Sequence, residues 1–186
     1  MSEPAQQRMT SDQFIAWAMQ QAETSRYELI DGEIVAMAPE RSVHALTKLH
    51  IARRLADQIE AGKLPCQVYP DGMAVEVDDR TVYEPDALVR CGPPLADSAV
   101  KLNDPVIIVE VQSPSTSSRD VGPKLIDYFR LSSLRHYLIV RVENRTVIHH
   151  AMGMDGVILT RIVRDGPIIL EPPGIVLIDC FPPGAA

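Results

Sequence analysis

Several features that mark common classes of protein are missing from this sequence of 186 residues. Its three cysteines, Cys66, Cys91 and Cys180, lie far apart and form no CxxC pair, so we expect buried free thiols and neither a disulfide framework nor a zinc site. The apolar runs are far shorter than a membrane-spanning helix, so we expect no membrane partner. The N-terminal residues lack a basic segment followed by an uninterrupted apolar core, so we expect no secretory signal and a cytoplasmic location.

Positive charge is also scarce. The 18 Lys and Arg residues are outnumbered by 25 Asp and Glu, which gives a net charge of -7 and disfavours a strongly basic nucleic-acid binder. A local basic rim can still meet phosphates, and enzymes that hold divalent metals gather carboxylates in a cleft. The hydrophobic content of 46% and the length indicate one globular domain over residues 1–186, with frayed ends at 1–9 and 182–186.

The first third of the sequence predicts a helix, a hairpin and a longer helix. Thr10 or Ser11 is a helix cap, and Asp31-Gly32 between two alternating segments is typical of a two-residue β-hairpin. From Ser42 to about Ala61 nothing interrupts a helix, and Gly62 is expected to end it. One broad apolar face of that helix comprises Ala45, Leu49, Ile51, Ala52, Leu55, Ala56 and Ile59, and the inward side also carries His44 and Lys48.

The rest of the sequence alternates strands with one helix. CQVYP, MAVEV and RTVYEPDALV predict a β-meander that leads into a central strand, VIIVEVQ. A helix with Pro123 in its first turn should follow and end near Leu131. HYLIVRV, RTVIHHAM and GVILTRIV predict three further strands. A helix among buried strands indicates the α/β (α+β) class, with a mixed sheet flanked by helices.

Glu110 is an unusual residue because it interrupts a run of branched aliphatic residues. Burial of an unpaired carboxylate costs on the order of several kcal/mol, so Glu110 needs a partner or a function. Side chains alternate along a strand, so Glu110 and Gln112 should share one face while Val109 and Val111 share the other. We therefore expect a polar face at one end of a buried strand.

Asp86 provides a second carboxylate at a related position. It follows Pro85, and Pro-Asp followed later by Glu-x-Lys is the signature of the PD-(D/E)xK nuclease superfamily, with Gln112 here in the lysine position. Carboxylates from adjacent strands supply the oxygen ligands that Mg²⁺ prefers, so Asp86 and Glu110 are the candidate metal ligands. Such an ion polarises a phosphate and lowers the pKa of the attacking water, and a nearby lysine stabilises the developing charge.

The surrounding segments strengthen this motif. In order, they are YELIDGEIVAMAP, a helix that opens with His44, EPDALV, VIIVEVQSPSTSSRD followed by Lys124 and Tyr128, and HYLIV. Over nearly the whole chain, this order resembles the Uma2 family of restriction-endonuclease-like proteins. The resemblance implies a restriction-endonuclease-like core and a nuclease that depends on Mg²⁺ or Mn²⁺.

The resemblance also implies roles for individual residues. Glu28 matches an acidic residue of the first hairpin, Asp86 matches the aspartate of the PD motif, and Glu110 matches the glutamate of ExK. Lys124 matches a lysine on the following helix that takes the place of the motif lysine, while Gln112 occupies the motif position itself.

Each of these residues also has a structural interpretation. Glu110 is then a buried structural partner, Asp86 a turn residue, Lys124 one half of an exposed helical pair with Asp120, and Glu28 a cross-strand partner in the hairpin.

Other side chains also allow both a structural and a functional interpretation. His44 is either a structural histidine or a contact to phosphate or to a carboxylate, and Lys48 either reaches solvent or points into the site. His149 and His150 point to opposite faces of a strand, so they should not chelate a metal together.

Three functions fit these patterns. The leading one is a homodimeric nuclease that cuts DNA, with duplex DNA favoured. The second is a catalytically decayed, dimeric nucleic-acid-binding or scaffold protein of the same fold, which Gln112 and the acidic composition favour. The third is a hydrolase for a small phosphorylated molecule, which requires a closed pocket. Lysines that point into the acidic cluster would favour the nuclease, and lysines that point into solvent would favour the catalytically decayed protein.

Overall fold

The computed structural model describes residues 8–22, 25–112 and 121–183 of the chain. In these ranges the helices are α1 (Ser11–Ala18), α2 (Ser42–Gly62) and α3 (Val121–Tyr128). Thr10 and Gln13 form a reciprocal capping box at the start of α1, as the sequence predicts. The third helix ends three residues before the predicted Leu131, and Asp120 lies outside the described residues.

The predicted hairpin is present. Its strands are β1 (Tyr27–Ile30) and β2 (Glu33–Ala36), joined by Asp31 and Gly32 with φ values of 50° and 82°. Positive φ at both central residues is the requirement of a type I′ turn, which explains the Asp-Gly pair.

The hairpin is part of a five-stranded sheet. Its other strands are β4 (Ala74–Asp78), β5 (Thr81–Tyr83) and β7 (Lys101–Leu102). The order is β2-β1-β5-β4-β7, and only β4 and β7 pair in parallel. The first helix packs on this sheet, because Phe14 is buried against Leu29 and Val82.

The central strand lies in a second sheet of six strands. The strands are β3 (Cys66–Pro70), β6 (Ala87–Cys91), β8 (Ile107–Gln112), β9 (His136–Arg141), β10 (Thr146–Met152) and β11 (Ile158–Val163). Their order is β11-β10-β9-β8-β6-β3, with β8 and β9 parallel and all other neighbours antiparallel. This mixed sheet with packed helices confirms the predicted fold class. A hairpin that the sequence analysis missed follows, with strands β12 (Ile168–Leu170) and β13 (Ile175–Leu177).

The two faces of β8 contact different cores. Ile107, Val109 and Val111 join the core that contains α2, whereas Ile108 joins a core built around Tyr128 and Tyr137. Glu110 and Gln112 follow the alternation of Ile108, as expected for a strand. The polar residues of β8 therefore face the region between the second sheet and α3.

The predicted β-meander was wrong in one respect, because RTVYEPDALV is divided between the two sheets. Thr81–Tyr83 pairs in the first sheet and Ala87–Cys91 in the second. Pro85 lies in the crossing segment, where its missing N–H removes no ladder hydrogen bond. This crossing places Asp86 at the start of β6, beside the polar residues of β8.

The buried face of α2 is narrower than predicted. Ile51, Ala52, Leu55 and Ile59 are buried, but the predicted core residues Ala45, Leu49 and Ala56 are exposed. The inward side instead includes His44, Thr47 and Lys48, so the first half of the helix buries polar side chains. Gly62 belongs to the helix, and Lys63 ends it in a left-handed conformation with φ of 48°.

The prediction of three free thiols was wrong. Cys66 and Cys91 lie opposite each other on β3 and β6 and form a disulfide across 25 residues of sequence, while Cys180 is a buried free cysteine. Cysteine spacing alone does not reveal strand register, and register brings these two side chains together. Within the described residues, no helix combines the length and apolar character needed to cross a membrane.

Candidate functional site

One cavity of about 340 Å³, lined by residues of both sheets, α2 and α3, contains the three acidic residues of the predicted site together with Glu40. Glu28 comes from β1, Asp86 immediately precedes β6, and Glu110 lies near the end of β8. Glu28 and Asp86 are only 6% and 5% exposed, and the Glu110 side chain is 14% exposed. The structure thus brings together the three acidic residues that the sequence analysis singled out.

Lys124 points into this acidic cluster from α3. Its Nζ lies 2.8 Å from Glu28 Oε1 and 3.1 Å from Glu110 Oε1, and it also lies over the Tyr83 ring. One helical turn later, the Tyr128 hydroxyl donates to Glu110 Oε1 at 2.8 Å. Glu110 is therefore held by two residues of one helix face.

Lys48 holds the other side of the cluster. Its Nζ lies 2.6 Å from Asp86 Oδ1, 2.7 Å from Glu40 Oε2 and 3.4 Å from Asp71. Arg26 extends the network, because its guanidinium contacts both Asp71 and Glu84. Lys48 thus enters the cluster from α2 and does not extend into solvent.

Burial shifts the pKa values of Asp86 and Glu110 upward. Burial, and then the negative charge of Glu110, raise the pKa of Asp86 to about 7, although Lys48 and the Val111 N–H favour its ionised form. Burial also raises the pKa of Glu110, and the nearby Glu28 acts in the same direction against Lys124.

The two lysines stay charged in this environment. Burial opposes the charged form of Lys48, but Asp86 and the other acids outweigh it and raise the Lys48 pKa to about 12. The pKa of Lys124 is also raised, because Glu110 and Glu28 outweigh its burial. The cluster therefore combines two fixed positive charges with two carboxylates, Asp86 and Glu110, whose pKa values are raised, and such perturbed groups in a cleft are typical of functional sites.

Two structural interpretations of these residues were wrong. The Lys124 side chain is 11% exposed and is not part of a solvent-exposed helical pair. Glu28 pairs with α3 and accepts a hydrogen bond from the Glu84 N–H, so it is not merely a cross-strand partner in its hairpin. Asp86 lies in the bend before β6, as a turn residue does, and it is also buried and pairs with Lys48.

His44 and Gln112 line the same cavity as the acids. Both are buried, at 2% and 7% exposure. His149 and His150 lie elsewhere and have separate contacts, as their strand positions predict. His149 Nε2 is 3.0 Å from His136 Nδ1, and His150 Nδ1 is 2.8 Å from Thr160 Oγ1.

The sequence analysis missed the outer part of the network. It gave no role to Glu40, Asp71 or Arg26, which lie in loops or next to a strand end and carry no periodic pattern. It also gave no role to Tyr128, although the spacing of four residues from Lys124 places both side chains on one helix face.

Comparisons with known proteins agree with this architecture. The family model described as "Uma2: Putative restriction endonuclease" matches residues 11–178. The chain belongs to the Uma2 family. Among relatives of this Uma2 protein, the uncharacterized protein slr1290 of Synechocystis is 26% identical over 134 residues, which cover 72% of this chain and 68% of the relative.

A solved structure has the same fold as this Uma2 protein. It is described as a "putative nuclease belonging to DUF820 from Anabaena variabilis" and superposes with a TM-score of 0.71 at 14% identity. The match covers 88% of this chain and 90% of the other. Family and fold together confirm the sequence-based assignment to restriction-endonuclease-like proteins.

The cavity offers a small set of possible metal ligands. Among residues 8–22, 25–112 and 121–183, no group of three or more His, Cys, Asp or Glu side chains forms an all-protein metal centre. Asp86 is buried and the Glu110 side chain is 14% exposed, and the negative charges of these two carboxylates act on each other. Mg²⁺ characteristically binds one or two carboxylates and completes its coordination with water and substrate phosphate, so this pair fits such an ion.

Proposed function

We propose that this Uma2 protein is a nuclease that hydrolyses phosphodiester bonds of DNA with the help of a divalent metal ion. The observation that carries the proposal is the pair of carboxylates, buried Asp86 and largely buried Glu110, each joined to a lysine from a different helix. Buried carboxylates whose charges oppose each other are costly to keep for stability alone, and a bound cation relieves that cost.

Asp86 and Glu110 would hold the metal ion, with Mg²⁺ or Mn²⁺ as the candidates. The bound ion supplies a Lewis acid that polarises the phosphate and lowers the pKa of a water molecule. The carboxylates provide hard oxygen ligands, and both come from neighbouring strands, β8 and the start of β6.

The protein's own residues position charge around that pair. Lys124, 3.1 Å from Glu110, provides an ammonium group where negative charge develops on a phosphate under attack. Glu28 and Tyr128 orient Lys124 and Glu110 respectively through the contacts described above. Lys48 fixes Asp86 from the opposite side.

The shape of the site favours a polymer over a small phosphorylated molecule. A second cavity of about 410 Å³ adjoins the first, and both are lined by the segment 36–40 and by Lys48. The second cavity is also lined by Arg26 and Tyr27, so the segment 36–40 has concave surface beside it in both cavities. A nucleic-acid strand makes use of concave surface beyond the cleavage site, whereas a small substrate is better served by a single closed pocket.

A homodimer remains a further proposal. A second subunit related by a two-fold axis would add a second cut, in the opposite strand of a duplex. Sedimentation or light scattering of the purified protein measures the oligomeric state directly.

One observation favours the catalytically decayed alternative. Gln112 occupies the position where the motif has lysine, and it carries no charge. The inward orientation of Lys124 and Lys48 favours the nuclease, because it places two ammonium groups beside the carboxylates, where charge would develop on a phosphate under attack.

The two functions are separated by metal titration and a cleavage assay. The protein is titrated with Mg²⁺ and Mn²⁺ in a calorimeter and then incubated with single- and double-stranded DNA. We expect metal binding and cleavage, and we expect Asp86→Asn and Glu110→Gln to remove both while the fold survives. Asp104→Asn is the control, because this partly exposed aspartate pairs with Arg90 outside the cavity. DNA binding without cleavage would establish the decayed alternative, and unchanged cleavage in both site variants would disprove the nuclease assignment.

A further inference from the structure

One part of the cavity contains buried polar atoms without partners. Neither ring nitrogen of His44 has a hydrogen-bond partner, and Gln112 Oε1 has none. The Glu143 carboxylate lies 3.7 Å from His44 Nε2, beyond hydrogen-bond distance, and its side chain is 45% exposed. His44 and Gln112 are both more than nine-tenths buried, so bulk water cannot replace the missing hydrogen bonds.

These atoms differ from the rest of the cavity lining. The carboxylates of Glu28, Asp86 and Glu110 are all engaged by lysines. His44 and Gln112 line the same cavity but are left out of that ion-pair network. Buried donors and acceptors that lack partners are rare in native proteins and call for an explanation, and a ligand group is the simplest one here.

The free atoms define the chemistry of that ligand group. A neutral imidazole offers one donor and one acceptor, and Gln112 Oε1 is an acceptor. A phosphate diester has acceptors only, so it would leave Gln112 Oε1 without a partner and would also face the nearby carboxylates. The complementary group is therefore uncharged and both donates and accepts hydrogen bonds.

The walls of the cavity add a second requirement. Ile30, Val35, Met37 and Val111 line it with apolar surface. A group with apolar faces and a hydrogen-bonding edge matches such walls together with His44 and Gln112. Among the parts of a nucleic acid, the nucleobase has this character, and its edge is free only when the base is unpaired.

We propose that His44 and Gln112 form a subsite for the edge of one unpaired nucleobase next to the phosphate that is cut. This inference rests on the proposed function for the nucleic-acid class and adds the form of the substrate. The substrate strand is single-stranded at this position, or one of its bases has left the stack. His44 and Gln112 then act in substrate recognition, and the acids and lysines act on the phosphate.

The test measures binding, so that it does not depend on cleavage. A fluorescent single-stranded oligonucleotide of about 12 nucleotides, within the usual range of strand-binding sites, is compared by anisotropy in Ca²⁺ with an abasic strand of equal length. We expect the wild-type protein to bind the strand with bases at least about tenfold more tightly, as for one or two buried hydrogen bonds. Equal affinity for the two strands would overturn the proposal.

Variants locate the discrimination in the cavity. His44→Leu and Gln112→Leu should each reduce the preference for bases to about threefold or less, since each removes hydrogen bonds worth a comparable factor. His150→Leu and Gln67→Leu are matched controls, because each residue also has a buried atom without a partner but lies outside the cavity. If the controls lose the preference as fully as the cavity variants, the subsite is refuted.

A conservative variant distinguishes the loss of the subsite from the loss of the fold. His44→Gln keeps a donor and an acceptor and should retain most of the preference, while His44→Leu should lose it at an equal or higher melting temperature. The two proposals also fail differently. If the protein prefers strands with bases but does not cut DNA, the nuclease is refuted and the subsite is retained. If normal and abasic strands are bound equally and cut equally, the subsite is refuted and the nuclease is retained.

Discussion

Lys124 Nζ lies 3.1 Å from Glu110 Oε1, although the two residues belong to different elements, α3 and β8. The same amine also contacts Glu28 in the first sheet. This arrangement places a lysine beside the glutamate of the Glu-x-Gln segment, where Gln112 supplies no charge. It also joins the two sheets through one buried ammonium group.

The position of Lys124 leads to a rescue experiment. We expect Lys124→Met to lower the rate of DNA cleavage by about 10²- to 10³-fold, the usual cost of a lost electrostatic contact to the reacting group. Because Gln112 shares the strand face of Glu110, Gln112→Lys in the same variant should recover part of that rate. Single-turnover cleavage measures both effects.

The control for this experiment is a lysine outside the cavity. Lys101 pairs with Asp12 and Glu76, and Lys101→Met should leave the cleavage rate nearly unchanged. If the double variant is folded but no faster than Lys124→Met alone, Lys124 does not substitute for the motif lysine.

Lys48 gives a second prediction, which concerns stability. Lys48→Met leaves the buried Asp86 without its cation, and the loss of one partner of a buried ion pair costs about 3–5 kcal/mol. Urea unfolding without metal should show this loss. Mg²⁺ should stabilise the variant more than it stabilises the wild-type protein, since the ion then compensates the unpaired carboxylate.

A double-mutant cycle tests the origin of that loss. Asp86→Asn removes the charge that Lys48 neutralises, so Lys48→Met in the Asp86→Asn background should cost markedly less free energy of unfolding. An equal cost in both backgrounds would mean that Lys48 acts through Glu40 or through packing, not through Asp86.

Local patterns predicted much of the fold and of the site. Thr10 with Gln13, and Asp31 with Gly32, are signals that act within four residues, and the structure confirms both. The alternation along β8 predicted correctly that Glu110 and Gln112 share a face opposite to that of Val109 and Val111, which lie in the core of α2. The motif order then predicted which distant acids meet, because a resemblance over the whole chain carries long-range information that periodicity does not.

Features that depend on tertiary contacts could not be predicted in this way. Strand order decides that Cys66 faces Cys91. The packing of α2 decides that Leu49 is exposed, although Leu49 belongs to the apolar face predicted for that helix. Glu40 and Asp71 meet Lys48 from loops with no repeating pattern. Local propensity describes each segment alone, and these relationships arise only when segments from different parts of the chain pack together.

The disulfide gives a third prediction. Closing a loop of 25 residues restricts the unfolded chain, and the loop-entropy model gives about 3–4 kcal/mol of stabilisation. The double variant Cys66→Ser/Cys91→Ser should therefore unfold at a lower temperature than the wild-type protein. A reducing agent should lower the melting temperature of the wild-type protein but not that of the variant.

Thiol labelling provides the control for this bond. Without a reductant, the unfolded wild-type protein should react at one cysteine only, Cys180, and Cys180→Ala should show no labelling. Labelling of three cysteines under these conditions would show that the disulfide does not form.

A buried histidine pair gives the final prediction, on acid stability. His149 is 3% exposed and contacts His136 Nδ1, and burial, followed by the charges of His136 and Arg161, lowers its pKa from 6.5 to about 4. Between these values the unfolded chain binds a proton that the folded protein does not, so stability falls as the pH is lowered from about 6.5 to 4. The full shift corresponds to about 3 kcal/mol.

The acid effect must be separated from that of Asp86, which has the opposite sign. The pKa of Asp86 is raised to about 7, so below that pH the folded protein takes up a proton that the unfolded chain does not bind until lower pH, and its contribution to stability increases. His149→Gln removes the titration of His149, leaves those of Asp86, His136 and His150 in place, and keeps a hydrogen-bonding group beside His136. Urea midpoints measured from pH 7.5 to 4 should therefore fall more steeply for the wild-type protein than for this variant, and parallel curves would show that His149 is not kept neutral by the fold.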